Sequence, residues 1–293
     1  MRRLSPAVWC LCIGVTHAQI TEKALLWRIT HASKRDTSYL CGTIHSRDAR
    51  AYRFQDSTLY YFNRCDLIAG ELDMDQTRKL TPDVTDAMFL PKGSSLDRLY
   101  NKRDYREVVE VLKQRLGPLA PMSLRLRPFY TIAMLSEMQL GNDSMLVLDA
   151  WFQDRALRMG KKVIGLETVK DQLDAIQRIP VREQAKLLLT MVRSDSAGTE
   201  TDRAMDAYAA HDLQALMDVV GRDGLPEHAD KALLMERNRN MSEKLQKLMS
   251  GGRRVFAAIG CAHLGGERGV IERLRAMGYT VEPVGVPLDP IEP

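Results

Sequence analysis

The 293-residue sequence lacks most of the short motifs by which enzyme classes are recognised. It has no His-Glu-x-x-His pair, no Gly-x-Ser-x-Gly elbow, no P-loop and no Gly-x-Gly-x-x-Gly turn. These absences argue against the zincin, serine-hydrolase and nucleotide-binding types that the motifs mark. It also has no low-complexity tract, long repeat or linker, so we expect one folded unit rather than a string of modules.

An excess of charge of one sign is also missing. The 42 lysines and arginines nearly balance the 38 acidic residues, which gives a formal net charge of +4, and aromatic residues make up 6% of the chain. No basic block is interleaved with aromatics, so nothing indicates a nucleic-acid partner. The near-neutral balance argues against electrostatic docking on a membrane. The apolar share of 45% is ample for a large core.

Long hydrophobic runs are scarce, and the one nearest the N-terminus, Ala7–Val15, is too short to span a bilayer. It follows the basic start Met1–Arg3 and precedes Thr16–Ala18, which offers small residues for cleavage. We therefore predict a signal peptide over residues 1–18, cleaved after Ala18. The mature chain is then expected to be periplasmic or secreted, without a stable membrane span. The alternative is an unprocessed N-terminus.

Cysteines are too few for a disulfide framework, and an odd number of them remains once the predicted leader is removed. Two of the five cysteines, Cys10 and Cys12, fall in the predicted leader, which leaves Cys41, Cys65 and Cys261. Their apolar surroundings favour the interpretation that they are small buried hydrophobes. A bridge between Cys41 and Cys65 stays open as an alternative in an oxidising compartment.

What the sequence does contain is a pair of Gly-x-x-His segments. Gly42–His45 ends the apolar run SYLCG, and Gly260–His263 ends the apolar run VFAAIG. Each run reads as a buried strand, and a glycine at its end frees the backbone to present a side chain at the sheet edge, where ligands collect. We therefore expect His45 and His263, 218 residues apart, to converge on one site.

The pattern of apolar runs predicts the fold. Six short runs indicate strands and lie mostly near the two ends of the chain: Ala24–Thr30, Ser38–Ile44, Asp66–Ala69, Lys161–Leu166, Val255–Ile259 and Thr280–Val284. Helical periodicity dominates between about residues 80 and 250, and it predicts helices that include Lys102–Leu116, Val181–Arg193 and a long one over Ala229–Met249. We predict a single mixed α/β (α+β) domain over residues 19–293. Its central mixed sheet is built from both chain ends and flanked by helices, with a helical insertion in the middle.

Two carboxylates also follow predicted strands, Glu71 after Gly70 and Glu167 after Leu166. Two imidazoles and one carboxylate suffice for a divalent metal with an open position, so the candidate ligands are His45, His263 and Glu71. Such a metal lowers the pKa of bound water from about 15.7 to about 7. The alternative interpretation is that each histidine caps its strand and bonds local backbone.

Further polar residues suggest supporting roles in such a site. We assign catalytic roles to Glu71 and to Arg237, which could stabilise an oxyanion or grip a substrate carboxylate. Glu167 is a candidate substrate-binding residue. Zinc, manganese and cobalt all suit a mixed histidine and carboxylate set.

Six stretches of the sequence match a known family, in the expected order and over most of residues 24 to 284. They are YLCGTIH (Tyr39–His45), AGELDM (Ala69–Met74), LRPFY (Leu126–Tyr130), LDAWFQDRALRMGKKVIGLETVKDQL (Leu148–Leu173), LLMERNRNM (Leu233–Met241) and the run from Val255 to Val284. The last stretch and Gly165–Gln172 are the most specific. On these stretches the sequence resembles the TraB/GumN family, which includes the Tiki proteins and the pheromone-shutdown protein PrgY.

The resemblance implies a metal-dependent protease in which paired Gly-x-x-His motifs and an acidic residue form the site. Carried onto this chain, it suggests His45, Glu71 and His263, supported by Arg237 and by Asn238, which is thereby a second candidate substrate-binding residue. It also implies a fold like those of erythromycin esterase (EreA) and the haem-binding ChaN type, and an exported or membrane-associated protein.

The function predicted from the sequence is an exported metal-dependent hydrolase, a peptidase acting on a peptide or protein. The alternative is a non-catalytic protein that binds a peptide, haem or another small molecule in the same cleft. A third alternative is a domain in which the motif residues only brace the sheet. Fold and motif do not by themselves fix function, so a measurement has to decide. The metal content of the purified protein separates the first alternative from the second.

Overall fold

The computed structural model describes residues 23–54, 56–77, 81–139, 146–194, 197–220 and 225–284. The predicted signal peptide, its cleavage site after Ala18, and Cys10 and Cys12 lie outside the described residues. Export and the bounds of the single domain therefore stay predictions. Within the described residues, no helix combines the length and apolar character needed to cross a membrane.

One mixed sheet of six strands forms the centre of the described part of the chain. The strands are β1 (Leu26–Thr30), β2 (Ser38–Thr43), β3 (Leu67–Gly70), β4 (Lys162–Gly165), β5 (Val255–Gly260) and β6 (Thr280–Pro283). Their order is β4-β3-β5-β2-β1-β6. The four strands β4, β3, β5 and β2 run parallel, whereas β1 pairs antiparallel with both β2 and β6. This arrangement confirms the predicted mixed sheet built from both chain ends.

Helices flank the sheet. They are α1 (Asp56–Arg64), α2 (Met74–Thr77), α3 (Pro82–Ala87), α4 (Lys102–Leu116), α5 (Ala120–Ser123), α6 (Pro128–Gln139), α7 (Leu148–Arg158), α8 (Val169–Arg178), α9 (Val181–Arg193), α10 (Ala197–Ala209), α11 (Leu213–Val220), α12 (Glu227–Asp230), α13 (Glu236–Ser250) and α14 (Val270–Ala276). At the start of α8, Thr168 and Asp171 form the capping box that their spacing indicates.

The three inner parallel strands, β3, β5 and β2, are mostly apolar because both faces of the sheet are covered there, whereas the edge strand β4 is only partly buried. Every residue of β2 and β3 is buried, and so are the first five of β5. Buried strands of this kind read as unbroken hydrophobic stretches rather than as alternating ones. The rings of Phe256 on β5, Phe62 of α1 and Phe152 of α7 form a cluster in which each pair of centroids is 5.2 or 5.6 Å apart. The main core therefore sits against the centre of the sheet.

The region predicted as one long helix over Ala229–Met249 is interrupted in the structure. It begins as α12, passes through a π-helical segment at Lys231–Met235, and continues as α13. Insertions of this type are common beside functional sites. Here the π segment ends directly before Glu236, so Arg237 and Asn238 fall in the first turn of the helix that comes next.

The three cysteines in the described part of the chain agree with their interpretation as buried hydrophobes. Cys41, Cys65 and Cys261 are all free thiols in buried positions. Burial raises the pKa of Cys41 and of Cys65 to about 12. The Cys41–Cys65 bridge left open by the sequence is absent from this fold.

Candidate functional site

The four residues predicted at strand ends lie at one edge of the sheet. His45, Glu71, Glu167 and His263 follow β2, β3, β4 and β5 within three residues, and these are the four parallel strands. In register, Thr43 pairs with Gly260, while Gly70 pairs with Gly165 and Ala258. Because parallel strands end on the same side, their carboxyl ends form one crevice, the usual place for ligands in such sheets.

The strand-end glycines serve close packing rather than unusual backbone angles. The glycine at the end of β5, Gly260, has a φ of −55°, which any residue adopts. A Cβ on Gly260 would lie 2.9 Å from the Glu71 Oε1 atom, and one on Gly42 would lie 2.6 Å from the Cys261 sulfur. The predicted role of these glycines in freeing the backbone is therefore replaced by a need for space.

Arg237 ties two of the predicted carboxylates together. Its Nε lies 3.0 Å from both carboxylate oxygens of Glu167, and its Nη2 donates to Glu167 Oε2 at 2.6 Å and to Glu71 Oε2 at 2.7 Å. The Nη1 atom donates to the Leu233 carbonyl at 3.3 Å, inside the π-helical segment. The Glu167 side chain is only 2% exposed and also accepts from Gln172. Arg237 thus has donors on both carboxylates at once.

The charges in this group stabilise one another. Burial raises the pKa of Glu71, but the charges of His263 and Arg237 and the hydrogen bond from the Gly260 N–H outweigh it, so the pKa lies below its ordinary value. Burial likewise lowers the pKa of Arg237, while Glu167 and Glu71 together raise it above its usual range. Glu71 is therefore an anionic carboxylate held against a guanidinium that stays charged.

The second histidine, His263, lies on the other side of Glu71. Its Nε2 is 3.8 Å from Glu71 Oε1, and that same oxygen accepts from the Gly260 N–H at 2.8 Å. The other ring nitrogen, Nδ1, is 2.6 Å from Asn238 Oδ1. The amide nitrogen of Asn238 in turn donates to the Arg268 carbonyl at 3.0 Å. The His263 side chain is 6% exposed, so the ring is held in a buried position.

The first histidine belongs to a different set of contacts. The His45 side chain is 60% exposed, with Nε2 3.3 Å from Glu137 Oε2 and Nδ1 3.6 Å from Asp149 Oδ2. Arg47 donates to the other Glu137 oxygen at 2.7 Å, and the Thr43 hydroxyl donates to Asp149. Hydrogen bonding to Asp149 raises the pKa of His45 above its ordinary value, against the opposing effect of desolvation.

Glu137 and Asp149 are site neighbours that sequence reasoning missed. They lie on α6 and α7, more than 90 residues along the chain from His45. Neither follows a strand, so the strand-end criterion does not find them. The one signal for either residue was the stretch beginning LDAWF, which contains Asp149 and carries part of the family resemblance.

The structure therefore brings five of the six predicted site residues into one contact network: Glu71, Glu167, Arg237, Asn238 and His263. It places His45 at the same sheet edge but in the neighbouring group with Glu137 and Asp149. Across the described ranges, no three His, Cys, Asp or Glu side chains are grouped so as to hold a metal ion. The three-ligand set of His45, Glu71 and His263 consequently stays a prediction.

Two of those three ligands do fit a divalent metal. Metal bonds of about 2.0–2.2 Å to an imidazole nitrogen and a carboxylate oxygen can span the 3.8 Å between His263 Nε2 and Glu71 Oε1. Metal-binding histidines also usually give their second ring N–H to an oxygen, as His263 can to Asn238. The mixed nitrogen and oxygen set suits zinc, manganese or cobalt.

Comparison with known proteins gives a consistent picture. The sequence pattern of the TraB/PrgY/gumN family matches residues 25–283. The chain is 23% identical to "Metalloprotease TIKI2" of Danio rerio, over 90% of this chain and 62% of the relative. It is 26% identical to "Metalloprotease TIKI1" of Danio rerio and 24% identical to that of Homo sapiens, over 90% of this chain and 64% and 63% of those relatives. The chain thus spans about three fifths of the length of these relatives. No solved structure matches it.

Proposed function

Because this chain belongs to the TraB/PrgY/gumN family, we propose that it is a metal-dependent hydrolase that cleaves peptides or proteins. The relatives named as metalloproteases support a divalent metal in general and a peptide or protein substrate. The observation that carries the proposal is the juxtaposition of His263 and Glu71 at the carboxyl edge of the parallel strands. A nitrogen and an oxygen ligand face each other there in a mostly buried setting, with the guanidinium of Arg237 against the other oxygen of Glu71.

In this proposal His263 and Glu71 hold the metal, and His45 supplies a third ligand from the adjoining strand. When bound, the metal would activate a water molecule as a nucleophile at neutral pH. Zinc, manganese and cobalt are the candidate ions, and the supply of each ion rather than affinity order selects among them in a cell.

The remaining residues of the network position the ligands. Arg237 engages Glu71 Oε2, which leaves Oε1 directed towards Gly260 and His263. Glu167 is buried against Arg237, so its role in this proposal is to hold the guanidinium rather than to meet a substrate. The oxyanion or substrate-carboxylate role predicted for Arg237 would require its donors to leave these partners. We therefore assign Arg237 first to the orientation of Glu71.

Elemental analysis of purified protein tests the metal site. We expect one divalent metal per chain in the wild type and its loss in a His45→Ala/His263→Ala double variant. A matched control is His228→Ala, which removes an exposed histidine that contacts Glu183. If no metal binds to the wild type after incubation with zinc, manganese or cobalt, the metallohydrolase proposal is wrong and the non-catalytic binding alternative takes its place.

Turnover of a peptide library tests the reaction itself. We expect cleavage by the metal-loaded wild type, its loss on treatment with a chelator, and a fall of orders of magnitude in Glu71→Gln, because one ligand becomes a neutral amide. Near-normal turnover in Glu71→Gln would remove Glu71 from the catalytic role.

Export is part of the same proposal and has its own test. We propose that the leader over residues 1–18 directs the chain to the periplasm or outside the cell. Mass spectrometry of the mature protein should find Gln19 at the N-terminus. An intact Met1 in exported material would contradict the leader.

A further inference from the structure

The hydrogen bonds around Asn238 decide where the proton sits on His263. Asn238 is fully buried in the first turn of α13, and both ends of its amide have partners. One partner is the Arg268 carbonyl, 3.0 Å away, and the other is the ring Nδ1 of His263, 2.6 Å away. A carbonyl oxygen only accepts hydrogen bonds, so the amide end that faces Arg268 must be the NH2 group.

That assignment has a direct consequence for the imidazole. With its NH2 group on Arg268, Asn238 presents Oδ1 to His263, and an amide oxygen also only accepts. Nδ1 must therefore carry a hydrogen, since two lone pairs 2.6 Å apart would repel each other. In the neutral ring the lone pair is then at Nε2, the nitrogen that lies 3.8 Å from Glu71 Oε1.

We infer that Asn238 is a positioning residue that holds the neutral imidazole of His263 as the Nδ1–H tautomer and so presents the Nε2 lone pair beside Glu71. This replaces the substrate-binding role that the sequence suggested for Asn238. The inference deepens the proposed function. Its importance for metal binding rests on that proposal, because a histidine that binds a metal through Nε2 must present a lone pair there. The tautomer itself rests only on the contacts described above.

The surroundings of Asn238 favour a fixed orientation of this amide. The Asn238 backbone carbonyl accepts from the Ser242 hydroxyl at 2.6 Å, one turn along the same buried face of α13. Arg268 lies between the 3₁₀ segment Cys261–His263 and α14. The carbonyl that orients Asn238 therefore belongs to the chain segment that directly follows His263. A flipped amide would face the Arg268 carbonyl with its oxygen and leave two acceptors in contact, which burial makes costly.

Nitrogen NMR on the metal-free protein tests the tautomer without any activity. The full chain is labelled at histidine nitrogen and studied at a pH well above the ordinary imidazole pKa of about 6.5. The six histidines of the chain are resolved by comparison with a His263→Gln variant, which identifies the His263 signals. We expect a proton-bearing Nδ1 and an unprotonated Nε2 in the wild type. A proton on Nε2 of neutral His263 overturns the inference.

Two isosteric variants separate the acceptor from general packing. Asn238→Asp and Asn238→Leu both lose the donation to Arg268, but only Asn238→Asp keeps an oxygen for Nδ1. We expect Asn238→Asp to retain the Nδ1–H tautomer and Asn238→Leu to lose it. Ser242→Ala is the matched control, because it removes a buried hydroxyl from the same helix face and leaves the amide in place.

Zinc affinity gives the second readout, with Zn²⁺ alone as the probe. Loss of an outer-shell partner typically costs about 10–100-fold in metal affinity, so we expect that loss in Asn238→Leu, and roughly wild-type affinity in Asn238→Asp and Ser242→Ala. Asn238→Leu that matches the wild type in both spectrum and affinity contradicts the inference. If Asn238→Leu fails to fold, the wild-type spectrum still decides.

These results also separate the inference from the proposed function. A wild-type protein with the proton on Nδ1 that binds no zinc supports the tautomer and contradicts the metal site. A wild-type protein that binds zinc and has the proton of its metal-free neutral ring on Nε2 supports the metal site and overturns the role of Asn238.

Discussion

The two Gly-x-x-His segments end neighbouring parallel strands, yet their histidines lie in different surroundings. The His45 side chain is 60% exposed and meets Glu137 and Asp149 from two helices. The His263 side chain is 6% exposed and sits between Asn238 and Glu71. One local pattern has therefore produced an open half and a buried half of the same sheet edge.

The difference arises from the chain segment after each strand. After β5 the chain turns at once into a short 3₁₀ segment, Cys261–His263, which is buried near α13. After β2 the chain continues as an irregular segment beside α6 and α7. The same spacing can thus place an imidazole either in the core or at the surface. A Gly-x-x-His pattern predicts the strand end but not the environment of its histidine.

The largest difference in stability between the two halves is expected for substitution of their arginines, Arg237 in the buried half and Arg47 in the open half. Arg237→Met leaves the buried Glu167 and the partly buried Glu71 without their cation, and removal of one partner from a buried ion pair costs about 3–5 kcal/mol. Arg47→Met breaks an ion pair with the half-exposed Glu137, where pairs contribute about 0.2–1 kcal/mol. Urea unfolding of both variants beside the wild type measures the two losses. Equal losses would show that the halves do not differ in burial energetics.

The histidines themselves should give the next largest difference. In His263→Ala the buried Asn238 oxygen loses its donor and a cavity forms, so we expect the free energy of unfolding to fall by about 3 kcal/mol. In His45→Ala an exposed side chain is lost, and the change should stay within about 0.5 kcal/mol. Both variants are measured without metal, because bound metal would add its own linkage to the folded state. A larger loss in His45→Ala would reverse the assignment of open and buried halves.

Alanine substitution of the two glycines should reverse this order of stability losses, with the larger loss in the segment of the exposed His45 and the smaller loss in the segment of the buried His263. Gly42→Ala would put a Cβ 2.6 Å from the Cys261 sulfur and 3.1 Å from Leu264 in the core, and overpacking of this kind costs about 1–3 kcal/mol. Gly260→Ala would meet the end of the Glu71 side chain at 2.9 Å, and this side chain can move. We therefore expect the smaller loss of thermal stability in Gly260→Ala. A greater loss in Gly260→Ala would mean that the Glu71 carboxylate is fixed as rigidly as the core.

The smallest effect is expected at the opposite edge of the same sheet. Asp66 and Arg254 precede β3 and β5 and form an exposed pair, with Arg254 Nη2 2.6 Å from Asp66 Oδ1. Hydrogen bonding to Arg254 holds the pKa of Asp66 below its ordinary value of 3.8. Because the folded-state pKa is depressed, the stabilisation is present above pH 3.8 and is lost as pH falls through the folded-state value.

We therefore expect Arg254→Met to lose about 0.2–1 kcal/mol at neutral pH, a loss that salt reduces. The difference from the wild type should vanish in acid. Denaturant unfolding of both proteins across this pH range measures it. A difference that persists once Asp66 is protonated would show that Arg254 acts through packing instead.

Much of the fold could be predicted because its signals are local. The runs at β2, β4 and β5 were placed to within one residue at either end, and the helices Lys102–Leu116 and Val181–Arg193 agree with the structure in full. The π-helical segment before α13 was not predicted, because apolar periodicity indicates a helix without distinguishing its i→i+4 from its i→i+5 hydrogen bonds over a single turn. The likeness to the EreA and ChaN folds stays a prediction.

The candidate site was predicted only where it depends on strand ends. Glu71, Glu167 and His263 follow strands, and their common edge follows from the parallel arrangement. The partners Glu137 and Asp149 lie on helices, so their approach to His45 depends on how α6 and α7 pack. Such packing depends on contacts between distant parts of the chain, which no short window of sequence contains.

The sequence by itself determined the strands, the glycines at their ends and the residue types at the sheet edge, because hydrophobic periodicity and turn chemistry act over a few residues. Only the tertiary structure decided that Arg237 joins Glu71 to Glu167, that Asn238 orients His263, and that His45 stays exposed. The physical reason is that burial and hydrogen-bond partners are properties of the packed chain. A histidine three residues after a glycine has no fixed tautomer, charge or exposure until helices from elsewhere in the sequence surround it.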